Sequence, residues 1–337
     1  MIILHIGLFE NSFSNIMKSV IFQETAKLKK PVPAEKVIEL SDKLLEPSSH
    51  SKRYPPRLHK TWGTIFFMIA IHLLSLVALQ PQFWSMPAVT ALFFFYWLTA
   101  CLGVTLGYHR LLSHRSFVVP KWLERFFATC GAISCQHGPI DWVGLHRHHH
   151  SFSDTEVDHH NSKRGFWWSH MGWMFKDVEA LKAVPKLSAD LIKDPYYRFL
   201  NKYFLFLQIP IGLCLYAIGQ KLGVGGWALV LWGIPLRLVV VYHITWLVNS
   251  ATHCWGKAPF ESGDGSKNNA WVAALTFGEG WHNNHHAFPN SARQGLFRGQ
   301  IDLTWEHIKI LAKLGFAKKI KLPSRSCLLY TSDAADD

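Results

Sequence analysis

Two short segments of the chain share the spacing H-x-x-H-H, in which the first, fourth and fifth residues are histidines. These histidines are His146, His149 and His150 in the first segment and His282, His285 and His286 in the second. On a helix, residues spaced i, i+3 and i+4 lie on one face, so three imidazoles would project together from each segment. Imidazole is the commonest metal ligand in proteins. A single histidine is usually packed or hydrogen-bonded in a core, but two such repeats predict a metal site.

Two further histidine groups lie elsewhere in the chain. His109 and His114 form H-x-x-x-x-H, and His253 ends a run that begins with Asn249. The nine clustered histidines are too many for one first-row ion and suit two ions with four or five ligands each. His109 and His114 are about 140° apart on an α-helix, so we expect them to serve different ions. Asn249 lies one helical turn before His253 and could supply a carboxamide ligand or hold a water.

The ligand types do not name the metal. Zinc is satisfied by four ligands, typically with cysteine or carboxylate present, whereas imidazole suits iron, zinc, copper and nickel. Soluble di-iron carboxylate proteins hold their ions with glutamates and Glu-x-x-His motifs on bundled helices. The site predicted here would be a nitrogen-rich counterpart, held at the ends of membrane helices.

The elements that must position these histidines are apolar. Of 337 residues, 49% are hydrophobic and only 17% are charged, below the roughly 25% of an average soluble domain. Four apolar segments, 61–79, 88–106, 203–218 and 227–248, are long enough, or nearly so, to cross a bilayer. We therefore predict an all-α membrane protein with four transmembrane helices in two hairpins.

Basic residues set the predicted orientation. Lysine and arginine flank the apolar segments, and their bias places the N-terminus, segment 107–200 and the C-terminal part in the cytoplasm. Both termini and all four histidine clusters would then share one side, in a cytosolic helical cap. The net charge of +12 is better explained by contact with the bilayer and its anionic head groups than by nucleic acid. Six cysteines without a C-x-x-C pair indicate reduced thiols.

Three regions follow from this pattern. Residues 1–60 are expected to be a cytoplasmic lead-in that is mostly unstructured, and residues 61–324 the membrane domain. Residues 325–337 fit nothing before them and are expected to be a non-native tail.

The histidine motifs, taken in order with N-S-x-x-H, resemble those of integral-membrane fatty acyl desaturases of the delta-nine acyl-lipid and acyl-CoA group. The resemblance covers about residues 60–320, and it includes the runs 138–145 and 165–173 and the segment Gly278-Glu279-Gly280-Trp281. These runs are most similar to the cyanobacterial and plastid branch. Leu145 stands where animal acyl-CoA enzymes tend to have an acidic residue, which favours an acyl-lipid substrate over an acyl-CoA.

The resemblance implies four transmembrane helices, a cytosolic cap and two iron ions. It implies an oxidoreductase that uses O2 and external electrons to form a cis double bond between carbons nine and ten of a fatty acyl chain. The electron donor would be a separate protein, ferredoxin or a cytochrome-b-type donor. The implied metal ligands are His109, His114, His146, His149, His150, Asn249, His253, His282, His285 and His286, without His148. The implied residues at the bend of the acyl tunnel are Gln136, Trp142 and Thr245.

Several other polar residues carry expectations. Four carboxylates flank the clusters and are candidates to orient the imidazoles: Asp141, Asp154, Asp158 and Glu279. His72 stands alone in an apolar segment and is expected to be packed or hydrogen-bonded. Arg237 lies inside another apolar segment, so we expect it to face protein or an interface.

Two other functions remain open from the residues. A related membrane di-iron hydroxylase uses similar clusters but leaves oxygen in its product. A metal transporter would place histidines and acidic residues within its spans. The clustered histidines here lie at the ends of the apolar segments or outside them, which makes a transporter a distant alternative.

Overall fold

The computed structural model describes residues 33–46, 61–176 and 178–324. Within these ranges the chain forms helices and isolated β-bridges but no extended strand, which confirms the predicted all-α class. Helix α1, Ala34–Leu45, lies in the lead-in that we expected to be mostly unstructured. It buries Val37 and Ser41, so an amphipathic face explains its formation. The proposed tail, residues 325–337, lies outside the described residues.

Helix α2, Thr61–Ala78, is apolar. Three further helices are long and apolar enough to cross a membrane: α3, Met86–Ser113; α9, Pro195–Lys221; and α10, Gly226–Cys254. The four predicted segments therefore all fall on apolar helices, although α2 is shorter than the other three. The helices α3 and α10 continue beyond the apolar runs, because their polar ends pack inside the protein rather than in a loop.

Helix α4, Lys121–Ile133, packs so closely against α3 that backbone atoms of the two helices are in contact. A Cβ atom added to Gly103 would lie 2.4 Å from the carbonyl carbon of Cys130, and one on Gly107 would lie 2.9 Å from the carbonyl oxygen of Phe127. Only glycine permits this approach. The contact fixes α4 beside the half of α3 that leads to His109.

The second half of α3, Trp97–Ser113, winds as a π-helix. In this winding the backbone hydrogen bonds run between residues five apart. The last such bond joins the amide of His114 to the carbonyl of His109 at 3.1 Å. Side chains five residues apart are therefore closer in direction here than in an α-helix.

Helix α5, Pro139–Phe152, carries the first H-x-x-H-H segment and is capped by another helix. The Asn201 side-chain oxygen accepts from the amides of Ile140 at 2.9 Å and Asp141 at 3.0 Å, and its nitrogen donates to the Asp141 carboxylate at 2.9 Å. These bonds satisfy amides that a helix start leaves unpaired. A Cβ on Gly138 would lie 2.2 Å from the Cα of Asn201, so the contact requires glycine.

Shorter helices complete the structure around the polar ends of α3, α5 and α10. They are α6, Phe166–His170; α7, Val184–Leu187; α8, Ala189–Ile192; α11, Ala270–Leu275; α12, His282–Ala287; and α13, Leu303–Lys313. A bridge between Val118 and Lys318 ties the chain after α13 back to the segment that follows His114. The histidines of α12 contact histidine rings on α3, α5 and α10.

Candidate metal centre

Five imidazoles from three helices converge in what we call the five-histidine group. Its members are His109 and His114 at the end of α3, His146 and His150 on α5, and His285 on α12. One nitrogen from each lies within 4.8 Å of the others. The Nε2 atoms of His114 and His146 are 2.8 Å apart, and the Nε2 atom of His285 lies 2.9 Å from that of His150. The five nitrogens surround one small volume.

Four more imidazoles form a second cluster, the four-histidine group. It comprises His149 on α5, His253 on α10, and His282 and His286 on α12, again within 4.8 Å of one another. The rings of His150 and His286, one from each group, stack with centroids 4.6 Å apart. The groups are therefore adjacent. Together they contain all nine histidines that the sequence singled out.

His109 and His114 both lie in the five-histidine group. The prediction that they point towards different ions is therefore wrong. The estimate assumed α-helical winding, but the π-helix changes the angle between residues five apart. Asn249, by contrast, lies one turn before His253 on α10, half-buried. Its role as a ligand remains a prediction.

Four of these rings are hydrogen-bonded to a carboxylate on the side that faces away from the histidine groups. Each accepts from the Nδ1 atom of its histidine: Glu279 from His109 at 2.5 Å, Asp158 from His149 at 2.9 Å, Asp154 from His253 at 2.9 Å, and Asp264 from His286 at 2.5 Å. Three of the four candidate carboxylates are thus confirmed as imidazole partners. Asp141 accepts from the Asn201 side chain at the start of α5, and its role as an imidazole partner stays a prediction. Asp264 was missed, since it lies 22 residues before its histidine without a recognisable motif.

These contacts fix which nitrogen is free to bind a cation. When Nδ1–H donates to a carboxylate, the Nε2 lone pair points away from it, here into the histidine group. His253 Nε2 and His282 Nε2 face each other at 3.2 Å, and the buried Nε2 of His286 has no hydrogen-bond partner in the described structure. Converging lone pairs fit a metal ion better than a network of hydrogen bonds.

The pKa values of three rings in the five-histidine group also agree with a bound metal ion. Burial and the neighbouring imidazoles lower the pKa of His114, His146 and His150 well below the usual value of 6.5. These side chains are therefore neutral at physiological pH, as metal ligands must be. In the four-histidine group, burial likewise lowers the pKa of His282, whereas the Asp158 carboxylate, against the effect of burial, raises the pKa of His149 and holds a proton on its Nδ1. The Nε2 atoms of both groups remain available to bind metal ions.

A buried arginine, Arg110, binds the carboxylate that accepts from His109 in the five-histidine group. Arg110 is fully buried and donates to Glu279 through Nε at 3.1 Å and Nη2 at 3.0 Å, and to Asp302 through Nη1 at 2.9 Å. Although burial alone would raise it, His109 and Arg110 hold the pKa of Glu279 at about 2. Glu279 is thus a carboxylate at any physiological pH and a fixed acceptor for His109.

Other histidines lie outside the two groups. His148 is buried beside Phe152, with ring centroids 4.9 Å apart, so its exclusion from the proposed ligands agrees with its position. His72 is hydrogen-bonded as expected, to the Met68 carbonyl at 2.7 Å and to His243 at 3.1 Å. His160 belongs to neither group, and its ring centroid lies 4.1 Å from that of His149.

Of the residues expected at the bend of the acyl tunnel, Trp142 contacts the five-histidine group. The Trp142 ring stacks on His146 with centroids 5.0 Å apart. Gln136 Nε2 donates to Thr245 Oγ1 at 3.1 Å, joining the segment before α5 to α10. The structure therefore brings Gln136 and Thr245 together, while a contact with substrate remains a prediction.

Comparison with known proteins gives a consistent result. Residues 87–297 match the model of the fatty acid desaturase family. The chain is 51% identical over 273 residues to an sn-1 stearoyl-lipid 9-desaturase of Synechocystis sp., covering 81% of this chain and 84% of that protein. It is 50% identical to a protein of the same name from Anabaena variabilis, covering 78% of this chain and 95% of that one. A chloroplastic palmitoyl-monogalactosyldiacylglycerol delta-7 desaturase of Arabidopsis thaliana is 48% identical, with 81% and 72% covered.

Proposed function

The chain belongs to the fatty acid desaturase family, and from this premise we propose that it is an O2-dependent delta-nine fatty acyl desaturase. The reaction would introduce a cis double bond into a saturated acyl chain, which makes the protein an oxidoreductase. The observation that carries the proposal is the pair of adjacent histidine groups, whose imidazole nitrogens converge and whose rings are held by buried carboxylates. Relatives named as 9-desaturases of acyl-lipids support the position of the double bond.

We propose that each histidine group holds one iron ion. The ligands would be the nine clustered histidines, and Asn249 would complete the four-histidine group directly or through a water. A methylene group in mid-chain has no acidic proton, so acid and base groups alone would leave it unchanged. Two bound iron ions with O2 supply the oxidising power to remove its hydrogens.

The chain's own residues would position the substrate and exclude water. The Trp142 ring lies flat on His146, so an acyl chain that packs on Trp142 comes close to the five-histidine group. The bond between Gln136 and Thr245 would form the bend, which selects the two carbons presented and their cis geometry. The carboxylates would keep each imidazole in one tautomer and orientation.

The proposed topology has four spans in two hairpins, with the cap and both termini in the cytoplasm. Three long apolar helices and the shorter apolar α2 support it, as does the position of His109 and His253 near the C-terminal ends of α3 and α10. In this arrangement residues 61–324 form the membrane desaturase domain and residues 1–60 the cytoplasmic lead-in.

The proposed partners follow from the reaction. The substrate would be a glycerolipid-linked acyl chain, as the names of the relatives suggest, with a CoA-linked chain as the alternative. Electrons would come from a separate protein, ferredoxin or a cytochrome-b-type donor. A hydroxylase is the second candidate function, because it would use the same metal ligands. The family membership and the named relatives favour desaturation.

The direct test is fatty-acid profiling of a desaturase-deficient host that expresses the chain. Gas chromatography and mass spectrometry of derivatised total lipids would locate each new double bond. We expect new cis-nine monoenes, and their first appearance in intact glycerolipids or in the CoA pool identifies the carrier. Hydroxylated chains in place of monoenes would contradict desaturation. The matched control is the His146→Ala variant, which should accumulate in the membrane without forming monoenes.

A further inference from the structure

The turn between α4 and α5, residues 134–138, has an unusual backbone. Cys135 has φ 56° and His137 has φ 69°, so two residues with side chains adopt the left-handed conformation that favours glycine. Gln136 lies between them. A turn of this kind persists only where the surrounding structure holds it. The position of Gln136 therefore depends on contacts made by its neighbours.

Helix α10 supplies those contacts at three successive points. Arg237 Nη1 donates to the carbonyl of Ile133 at 2.9 Å, at the end of α4. The Tyr242 hydroxyl donates to the carbonyl of Cys135 at 2.8 Å. Further along, Thr245 accepts the bond from the Gln136 side chain. One helix thus fixes the backbone before Gln136 and the side chain of Gln136 itself.

Further hydrogen bonds hold the Arg237 side chain in place. Arg237 is fully buried, as we expected of an arginine within an apolar segment. Its Nε donates to the Gly233 carbonyl at 3.1 Å and its Nη2 to the Gln208 side-chain oxygen at 3.0 Å. Gln208 in turn donates to the same Ile133 carbonyl at 3.0 Å. A cation at the C-terminal end of a helix is favourable, since the free carbonyls there carry partial negative charge.

The tyrosine offers a cleaner perturbation. Tyr242 is 1% exposed, and its ring packs on Trp246 with centroids 5.3 Å apart. A phenylalanine would keep this packing and remove only the hydroxyl. The Cys135 carbonyl would then be buried without that donor, which favours rearrangement of the turn.

We propose that Tyr242 and Arg237 are positioning residues that hold the 134–138 turn, and through Gln136 determine which carbons of the acyl chain are oxidised. The inference rests on the proposed desaturase function and on the predicted contact of Gln136 and Thr245 with substrate. Neither Tyr242 nor Arg237 is itself a proposed ligand or substrate contact. Their effect would act through the backbone of the turn.

The test compares Tyr242→Phe with Tyr216→Phe in the desaturase-deficient host. Tyr216 is a matched control, because its hydroxyl lies on α9 and, among the described residues, accepts only from the exposed Gln220. We expect Tyr242→Phe to raise the share of monoenes at positions other than nine by about tenfold, since a misplacement of about 1 Å has effects of this size or larger. Iron content per chain should stay at the wild-type value. Arg237→Lys should shift the positions less than Arg237→Met, because lysine keeps the charge.

A second readout does not depend on turnover. The Cys135 thiol lies in the turn and is buried, so its rate of alkylation by N-ethylmaleimide in metal-free protein reports opening of the turn. Tyr242→Phe should speed labelling of Cys135, mapped by peptide mass spectrometry, and leave buried Cys101 unchanged. A wild-type distribution of double bonds in Tyr242→Phe would overturn the inference, whatever the labelling shows. Absence of monoenes from the wild-type protein would overturn the proposed function instead, and unchanged labelling of Cys135 would then still refute the holding role of Tyr242.

Discussion

Replacing Glu279 with glutamine tests how the metal centre is oriented. The Glu279 carboxylate accepts one bond from His109 Nδ1 at 2.5 Å and two from Arg110 at 3.1 and 3.0 Å. Glutamine keeps the shape but replaces one acceptor oxygen with an NH2 donor. All the neighbouring groups named are donors, so at least one contact becomes unfavourable. Arg110 also loses part of its buried counter-charge.

The magnitude follows from the pKa of Glu279. Its fall from 4.5 to about 2 corresponds to about 3 kcal/mol of stabilisation of the ionised form, at about 1.4 kcal/mol for each tenfold change in acid dissociation. A carboxyl with a lowered pKa contributes this stability above its ordinary value and loses it as the pH falls towards 2. The effect is therefore fully present at pH 7. Loss of an imidazole partner also weakens metal affinity by roughly 10- to 100-fold.

The assay uses purified protein at pH 7. Iron per chain would be measured by mass spectrometry across a chelator titration, and the unfolding midpoint from thermal melts in detergent. Glu306→Gln is the control, because Glu306 is 52% exposed and pairs only with the exposed Lys309 in the described structure; we expect a change within about 0.5 kcal/mol. We expect Glu279→Gln to lower both iron affinity and melting temperature. If Glu279→Gln holds iron as tightly as wild type and melts with it, the orienting role is refuted.

Three further predictions follow from other parts of the centre. His146→Ala should lose metal from the five-histidine group while the neighbouring His148→Ala keeps it, and equal iron content in the two variants would contradict the ligand assignment. Asn201→Ala removes the cap of α5 and should cost about 1–2 kcal/mol, seen as a lower unfolding midpoint; an unchanged midpoint would show that the cap contributes nothing. In metal-free protein, stability should fall as the pH drops below about 6.5, because burial lowers the pKa values of His114, His146, His150 and His285, so the unfolded chain takes up protons that the folded chain does not. Thermal melts from pH 8 to pH 5 measure this, and a midpoint that rises on acidification would be inconsistent with it.

The sequence was sufficient to predict those features of the site that the geometry of a single helix determines. The H-x-x-H-H spacing predicts one helical face, and His146, His149 and His150 all point into the centre from α5. The division between the groups was not predictable, since His149 joins one and its two neighbours the other. Spacing fixes the face of a helix but not which partners meet it from α3, α10 and α12.

Errors arose where tertiary structure overrides local rules. The predicted angle between His109 and His114 was wrong, because no pattern in the sequence indicates a π-helix over Trp97–Ser113. The contact between Asp141 and Asn201 from α9 was not predictable either, because the two residues lie 60 positions apart in the sequence. Asp264 contacts His286 because the loop that carries it folds back to α12. No sequence motif predicts such a loop conformation.

The most direct test of the central claim uses a stearoyl glycerolipid labelled with deuterium at all four positions on carbons nine and ten. The iron-loaded protein would be given this lipid with O2 and a reduced donor, and the product examined by mass spectrometry. We expect an oleoyl lipid that has lost two of the deuterium atoms and gained no oxygen, formed by protein that carries two iron ions per chain. A product that retains oxygen, or no product from protein carrying both ions and a reduced donor, would contradict the account.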